Sequence, residues 1–185
     1  MSIPRYQRKS NPAIYVEKTR KAYIMTIDMI RKVHGKYKTE ITDRMLIEAQ
    51  IMYTYAIKAD GIFMSKKNRH FTFFDRQRYT RRALVAAQAL SSLFTIYYEI
   101  ISKGDQSYGK AKKRDEVFTR WGASIEESIV YLKKILNSNK DRYDKWEKEV
   151  KEYRKKRKKD APVSESIEGF PRYYELAYKG VITSL

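Results

Sequence analysis

The chain has 185 residues and a formal charge of +18 at neutral pH, from 40 Lys and Arg against 22 Asp and Glu. It contains no cysteine, which excludes disulfides, thiolate nucleophiles and thiolate metal sites. Self-repulsion on this scale opposes a compact fold, so the charge predicts a polyanionic partner, RNA or DNA first of all.

Hydrophobic periodicity predicts an all-α fold, namely an up-down antiparallel four-helix bundle with an extended last helix and a C-terminal tail. The first helix should begin at Pro12, with Ser10 or Asn11 as its cap, and end at His34-Gly35. The second helix has apolar residues at alternating spacings of four and three: Met45, Ala49, Met52, Ala56, Ala59 and Phe63.

The third predicted helix repeats that spacing and ends at Gly104. Its apolar positions are Tyr79, Ala83, Ala86, Leu90, Leu93, Tyr97 and Ile100. Small residues on the facing sides of the second and third helices predict that these two form a closely packed central pair. Residues 65–75 are interpreted as the loop between them.

The fourth helix should run from Asp115 to about Lys158, roughly 65 Å at 1.5 Å per residue. Its apolar positions are Phe118, Trp121, Ile125, Leu132, Leu136, Tyr143, Trp146, Val150 and Tyr153. Either this helix is continuous, or it breaks near residues 137–139 and folds back. We divide the chain into a bundle, residues 1–159, and a linker with an aromatic tail, residues 160–185.

Large apolar side chains beyond the bundle would form an exposed patch, which indicates self-assembly or docking on another protein. The candidate contact residues are Tyr143, Trp146, Val150 and Tyr153 in the fourth helix, with Phe170 and Tyr174 in the tail.

Positive charge is concentrated where helix ends are predicted, which is typical of an electrostatic footprint for phosphates. Residues 1–159 hold 38 basic and 18 acidic side chains, whereas the tail holds two and four. The candidate nucleic-acid-binding residues are Lys66, Lys67, Arg69, Arg76, Arg78, Arg81, Arg82, Lys110, Lys112, Lys113, Arg114, Arg154, Lys155 and Arg157. Tyr6, Phe71, Phe73 and Phe74 could stack on bases, although the last three could equally cover the bundle end.

Enzymatic chemistry is poorly supported. The two histidines, His34 and His70, lack the preceding Glu of a metal motif, because Arg31 and Lys67 stand at those positions. No phosphate-binding glycine loop and no nucleophile-base-acid arrangement is present. We expect a non-enzymatic protein with no metal and no cofactor.

Three segments carry a family resemblance. Ser10-Asn11-Pro12 with Tyr15, a helix, and then Lys36 to Thr39 leading through Ile41 into an Ala-rich helix resemble the accessory variability determinant (Avd) proteins of diversity-generating retroelements. The family's third helix, which is rich in Leu and has Arg at its start, is similar to the stretch from Arg81-Arg82 through Leu90 and Leu93 to Ile101-Ser102. The resemblance covers about residues 10–138. It implies a homopentameric four-helix bundle that binds a reverse transcriptase and contacts its template RNA.

Two alternatives remain at this point. One is a viral or phage nucleoprotein, a coat-type protein that wraps nucleic acid. The other is a protein-interaction scaffold with an acidic partner. Because no stretch approaches the roughly 20 apolar residues of a membrane helix, and residues 1–9 lack an apolar signal region, we expect a cytoplasmic protein that does not bind a membrane.

Overall fold

The computed structural model describes residues 13–32, 40–104 and 108–160. They form four helices: α1 (Ile14–Lys32), α2 (Glu40–Asp60), α3 (Arg69–Gly104) and α4 (Tyr108–Asp160). None of the described residues is in a β-strand. The predicted all-α four-helix architecture is confirmed.

Contacts between α1 and α2 show that the two helices run antiparallel. The hydroxyl of Tyr15, at the start of α1, donates to the carboxylate of Asp60, at the end of α2, over 3.2 Å. Two turns further along α1, Tyr23 stacks on Tyr53, with ring centroids 5.6 Å apart. Residue numbers therefore rise in α1 as they fall in α2.

Helix α4 lies antiparallel to α1. Lys18 forms an ion pair with Glu127 at 2.9 Å, and the indole Nε1 of Trp121 donates to Thr26 Oγ1 at 3.0 Å. Thr26, the later of the two α1 residues, contacts Trp121, the earlier of the two α4 residues. The two helices therefore run in opposite directions.

Helix α3 is antiparallel to α4 along most of its length. The amide of Gln77 donates to the Leu136 carbonyl at 3.0 Å, and the Tyr98 hydroxyl donates to Asp115 at 3.1 Å. With α2 also packed along α3, each helix has two antiparallel neighbours, which is the up-down arrangement that the short connections favour.

The predicted spacing of α2 is confirmed at five of its six positions, which are fully buried: Met45, Ala49, Met52, Ala56 and Ala59. The sixth, Phe63, lies after the helix and is 68% exposed. In α1, Thr19, Ala22 and Thr26 are fully buried, whereas Tyr23 and Ile27 are half-buried. Threonines can be buried because their hydroxyls bond to carbonyls three or four residues back, as Thr26 does to Ala22 at 2.8 Å.

The start of α3 differs from the prediction. The helix begins at Arg69, so residues 69–75 are helical rather than part of a loop. Near its other end the buried side chain is Ile101, while Ile100 is exposed. The spacing from Tyr97 is therefore four residues rather than the predicted three, which shifts the apolar stripe by one position.

Helix α4 begins at Tyr108, seven residues before the predicted Asp115, and is continuous to Asp160. The alternative with a break near residues 137–139 is wrong. Asn139 is buried within this stretch, whereas Asn137 and Ser138 are exposed, so these polar residues form one ordinary helical turn with one side turned inward.

The chain divides into two compact units, residues 1–146 and residues 147–185, with the boundary inside α4. The predicted boundary was at residue 160. The caps proposed at Ser10 and Asn11, and Pro12, His34 and the tail from residue 161, lie outside the described residues.

Helix α3 is long and apolar enough to cross a membrane by length and composition alone, with a mean hydropathy of 1.4 over its most apolar window. Core helices of soluble proteins pass the same test. Ala83, Ala87, Leu90 and Tyr97 of this helix are buried in the bundle core.

Candidate nucleic-acid interface

The connection between α2 and α3 ends in a tight polar turn. The Ser65 hydroxyl accepts the backbone N–H of Asn68 at 3.2 Å, and the Thr72 hydroxyl donates to the Asn68 carbonyl at 2.9 Å. Ser65 thus satisfies one backbone donor at the entrance to α3, as capping serines do. The turn places Lys66 and Lys67 at the surface directly before the helix.

Arg76 holds the connection in place. Its half-buried guanidinium donates to the Ile62 carbonyl over 3.0 Å. Burial raises the pKa of the Tyr15 hydroxyl, with the neighbouring Arg76 acting in the opposite direction and Asp60 adding to the rise. Arg76 therefore has a structural task, and like Arg69 and Arg114 it is only half-exposed.

Five exposed side chains share one face of the first turns of α3: Phe71, Phe74, Arg78, Arg81 and Arg82. Their spacings of three, four, three and one residues keep them on one side of the helix. We call this set the α3 stripe. It extends about 16 Å along the helix axis at 1.5 Å per residue. Two aromatic rings are followed by three permanently charged guanidinium groups.

A tyrosine pair lies beside the α3 stripe, where α2 packs on α3. Tyr55 stacks on Tyr79 with ring centroids 5.9 Å apart. Arg82 donates to the Tyr55 hydroxyl at 3.1 Å and its guanidinium lies 5.4 Å from that ring centroid. Lys58 lies 5.1 Å from the same ring, and Arg78 lies 5.3 Å from Tyr79. The rings hold three cations in defined positions.

The turn of α3 that carries the two exposed phenylalanines packs against α4 on its inner side. Phe73 is buried and stacks on Tyr143, with centroids 4.2 Å apart and an interplanar angle of 15°. His70 Nδ1 lies 2.7 Å from the Tyr143 hydroxyl, within hydrogen-bonding distance. Phe73, predicted as a candidate for base stacking, is instead part of the packing. Tyr143, predicted as a partner contact, packs within its own chain.

The second predicted basic cluster lies at the opposite end of α3. Lys112 and Lys113 are exposed in the first turns of α4, and Arg114 Nε pairs with Asp115 at 3.2 Å. The side chain of Lys110 lies outside the described part. About 33 Å of helix separates Arg82 from Gly104, so the structure does not bring the two clusters together.

In the second unit, the described part of α4 is strongly basic. Arg154, Lys155 and Arg157 are exposed, and Tyr153 is 65% exposed. Val150 is half-buried. In the first unit Trp146 is also half-buried.

The predicted tail contacts, Phe170 and Tyr174, lie outside the residues whose structure is described. The partner role of Tyr153 and its neighbours stays a prediction.

Sequence reasoning missed Lys58 and Tyr55. Tyr79 was interpreted as a core residue, yet it is half-buried and stacks on Tyr55 at the surface. One signal was available, because Lys58 lies three residues after Tyr55 and therefore on the same side of α2. The contact with Arg82 depends on how α2 packs against α3, which local spacing does not define.

Among the described residues, no group of three or more His, Asp or Glu side chains could hold a metal ion. Comparisons of the chain with protein-family models, curated proteins and solved structures gave no match.

Proposed function

We propose that this chain is a non-catalytic nucleic-acid-binding protein whose main contact surface is the α3 stripe together with Lys66 and Lys67. The observation that carries the proposal is the local charge. Residues 61–82 contain seven Lys and Arg and a single acidic residue, Asp75. Apart from Arg69 and Arg76, all of these cations are exposed in the described structure.

Guanidinium and ammonium groups arranged this way suit phosphate oxygens. Arg78 and Arg82 rest against tyrosine rings, so part of the entropy of ordering their side chains is already lost before a ligand arrives. Such contacts neutralise phosphates irrespective of base sequence, and they make affinity depend steeply on salt.

We further propose that the biological setting is an accessory role beside a reverse transcriptase and its template RNA, in an assembly of several copies. This part rests on the resemblance of residues 10–138 to the Avd proteins. The pentamer and the polymerase partner come from that resemblance alone.

Light scattering coupled to size exclusion tests the accessory role. The protein is mixed with a structured RNA, and separately with single-stranded DNAs of increasing length. We expect a discrete assembly that takes up a fixed amount of nucleic acid. Mass that grows in proportion to DNA length would instead identify a coat-type protein.

A matched pair of charge reversals tests the surface. The variant Arg78→Glu/Arg81→Glu changes the net charge by −4, as does the control Arg20→Glu/Lys21→Glu on the exposed side of α1. We expect the first to weaken RNA binding at least tenfold and the control much less. Equal losses would mean that only the total charge matters, and RNA binding unaffected by both would remove the surface from the proposal.

A further inference from the structure

We infer that unpaired bases stack on the α3 stripe, so that the preferred ligand is single-stranded nucleic acid rather than duplex. This inference rests on the proposed function and adds the ligand class. Its basis is the position of Phe71 and Phe74 at the beginning of a row of arginines.

Phe71 and Phe74 are exposed aromatic side chains one turn apart on α3. Phe71 is 66% exposed, and Phe74 is 48% exposed. Single exposed apolar residues are normal on folded proteins, whereas neighbouring ones that form a contiguous patch mark an interaction site. The two rings therefore favour a partner that presents apolar surface at this position.

The charge around the rings defines what kind of partner this is. Arg78 and Arg81 follow on the same face, and Lys66 and Lys67 precede it. A ligand must combine flat apolar faces with closely spaced negative charges. A single strand of nucleic acid has both, because unpaired bases can stack on aromatic rings while the phosphates contact cations. A duplex offers its phosphates, but its base faces are already stacked inside the helix.

The rigidity of the turn that carries Phe71 and Phe74 supports the same ligand. Phe73, between the two exposed rings, is buried against Tyr143, and Phe74 packs edge-on against Phe73 with centroids 5.2 Å apart. The turn that presents Phe71 and Phe74 is therefore anchored to α4. A ring held in place loses less conformational entropy when a base stacks on it.

Fluorescence anisotropy with a labelled oligouridylate and a duplex RNA of equal length provides the test, using the full chain. We expect wild type to prefer the single strand. Phe71→Leu keeps a similar apolar volume but removes the aromatic face, so it should weaken single-strand binding about fivefold or more and change duplex binding less than twofold. Phe71→Trp should retain or improve single-strand affinity.

Tyr131→Leu is the matched control, because Tyr131 also has lysines beside its ring, Lys18 and Lys134, but lies elsewhere on the bundle. It should leave both affinities within twofold. Phe71 is exposed, so circular dichroism should show an unchanged fold in its variants. As a second measurement, the added indole in Phe71→Trp should be quenched by the oligouridylate beyond the quenching seen for wild type.

The two proposals fail in different ways. One outcome is that wild type binds both RNAs while Phe71→Leu changes neither affinity or weakens both equally. In that case the proposed stacking of bases is wrong, while nucleic-acid binding stands. If wild type binds neither RNA at low salt, the proposed function itself is overturned, and an acidic protein partner becomes the better explanation of the stripe.

Discussion

The indole Nε1 of Trp121 and the hydroxyl of Thr26 lie 3.0 Å apart in the interior of the bundle, and both residues are fully buried. The contact joins α4 to α1 through a buried hydrogen bond. Because Thr26 also donates to the Ala22 carbonyl, its hydroxyl has both a donor and an acceptor role. This pair defines the register of α4 against α1.

A double-mutant cycle at this pair should show coupling of about 1 kcal/mol or more. Thr26→Val leaves the buried indole N–H without an acceptor, which should lower the free energy of unfolding by about 1–3 kcal/mol. Once Trp121→Phe has removed the donor, the same threonine substitution should cost less. Urea denaturation of the four proteins measures the difference, and strictly additive losses would contradict the assigned bond.

Continuity of α4 predicts a strong effect of proline at Ser138. This exposed residue lies inside the helix, so Ser138→Pro should remove a backbone hydrogen bond and destabilise the bundle by about 3 kcal/mol or more. Ser138→Ala should be neutral or slightly stabilising, since alanine is the better helix former. Thermal unfolding followed by circular dichroism compares them. A proline variant as stable as the alanine control would indicate a break at residues 137–139.

The buried hydroxyl of Tyr97 predicts a loss of stability in alkali. Burial raises the pKa of Tyr97 to about 12, from 10.0 for a free tyrosine, and its hydroxyl has no partner among the described residues. The neutral phenol is favoured in the folded state, whereas the unfolded chain ionises from pH 10. The stability that the neutral phenol of Tyr97 contributes is therefore fully present below pH 10 and is lost between pH 10 and 12.

Tyr97→Phe should therefore be as stable as wild type, or more stable, at pH 7, because it removes a polar atom that has no partner. Its free energy of unfolding should also fall less steeply between pH 10 and 12. Burial also raises the pKa of Tyr15, so part of the decline in the free energy of unfolding should remain in the Tyr97→Phe variant. Urea denaturation across this pH range makes the comparison, with Tyr153→Phe as an exposed control. If the free energy of unfolding of Tyr97→Phe fell as steeply as that of wild type, ionisation of Tyr97 would not be the cause of the lost stability.

The sequence was most informative where one helix face is wholly apolar. The alternating spacing of α2 from Met45 to Ala59 identified its buried side, because small and apolar residues recur there at every step of four or three residues, whereas Ile47 and Ile57 are exposed elsewhere on the helix. It was less informative at Thr19, Thr26 and Thr80, whose hydroxyls bond within their own helices and can be buried at little cost. Periodicity of apolar residues cannot find such positions.

The beginning of α3 could not be predicted from local spacing. Aromatic residues are modest helix formers, and residues 71–74 contain three phenylalanines, so the local preference for helix is weak there. The helix extends to Arg69 because Phe73 packs on Tyr143 of α4 and Arg76 bonds to the Ile62 carbonyl. Both contacts are long-range. The basic residues of the candidate interface were predicted, but their arrangement into one stripe depended on that extension.

Salt dependence of RNA binding tests the central claim most directly. An unstructured labelled RNA is titrated with the full chain at several salt concentrations, and the logarithm of the binding constant is plotted against the logarithm of salt. Contacts from the α3 stripe and its flanking lysines predict a slope of about −2 or steeper, at roughly −0.7 for each phosphate neutralised on a single strand. Arg78→Glu/Arg81→Glu should make the slope shallower by about 1.4. Absence of binding at low salt, or a flat slope that these substitutions do not change, would contradict the account.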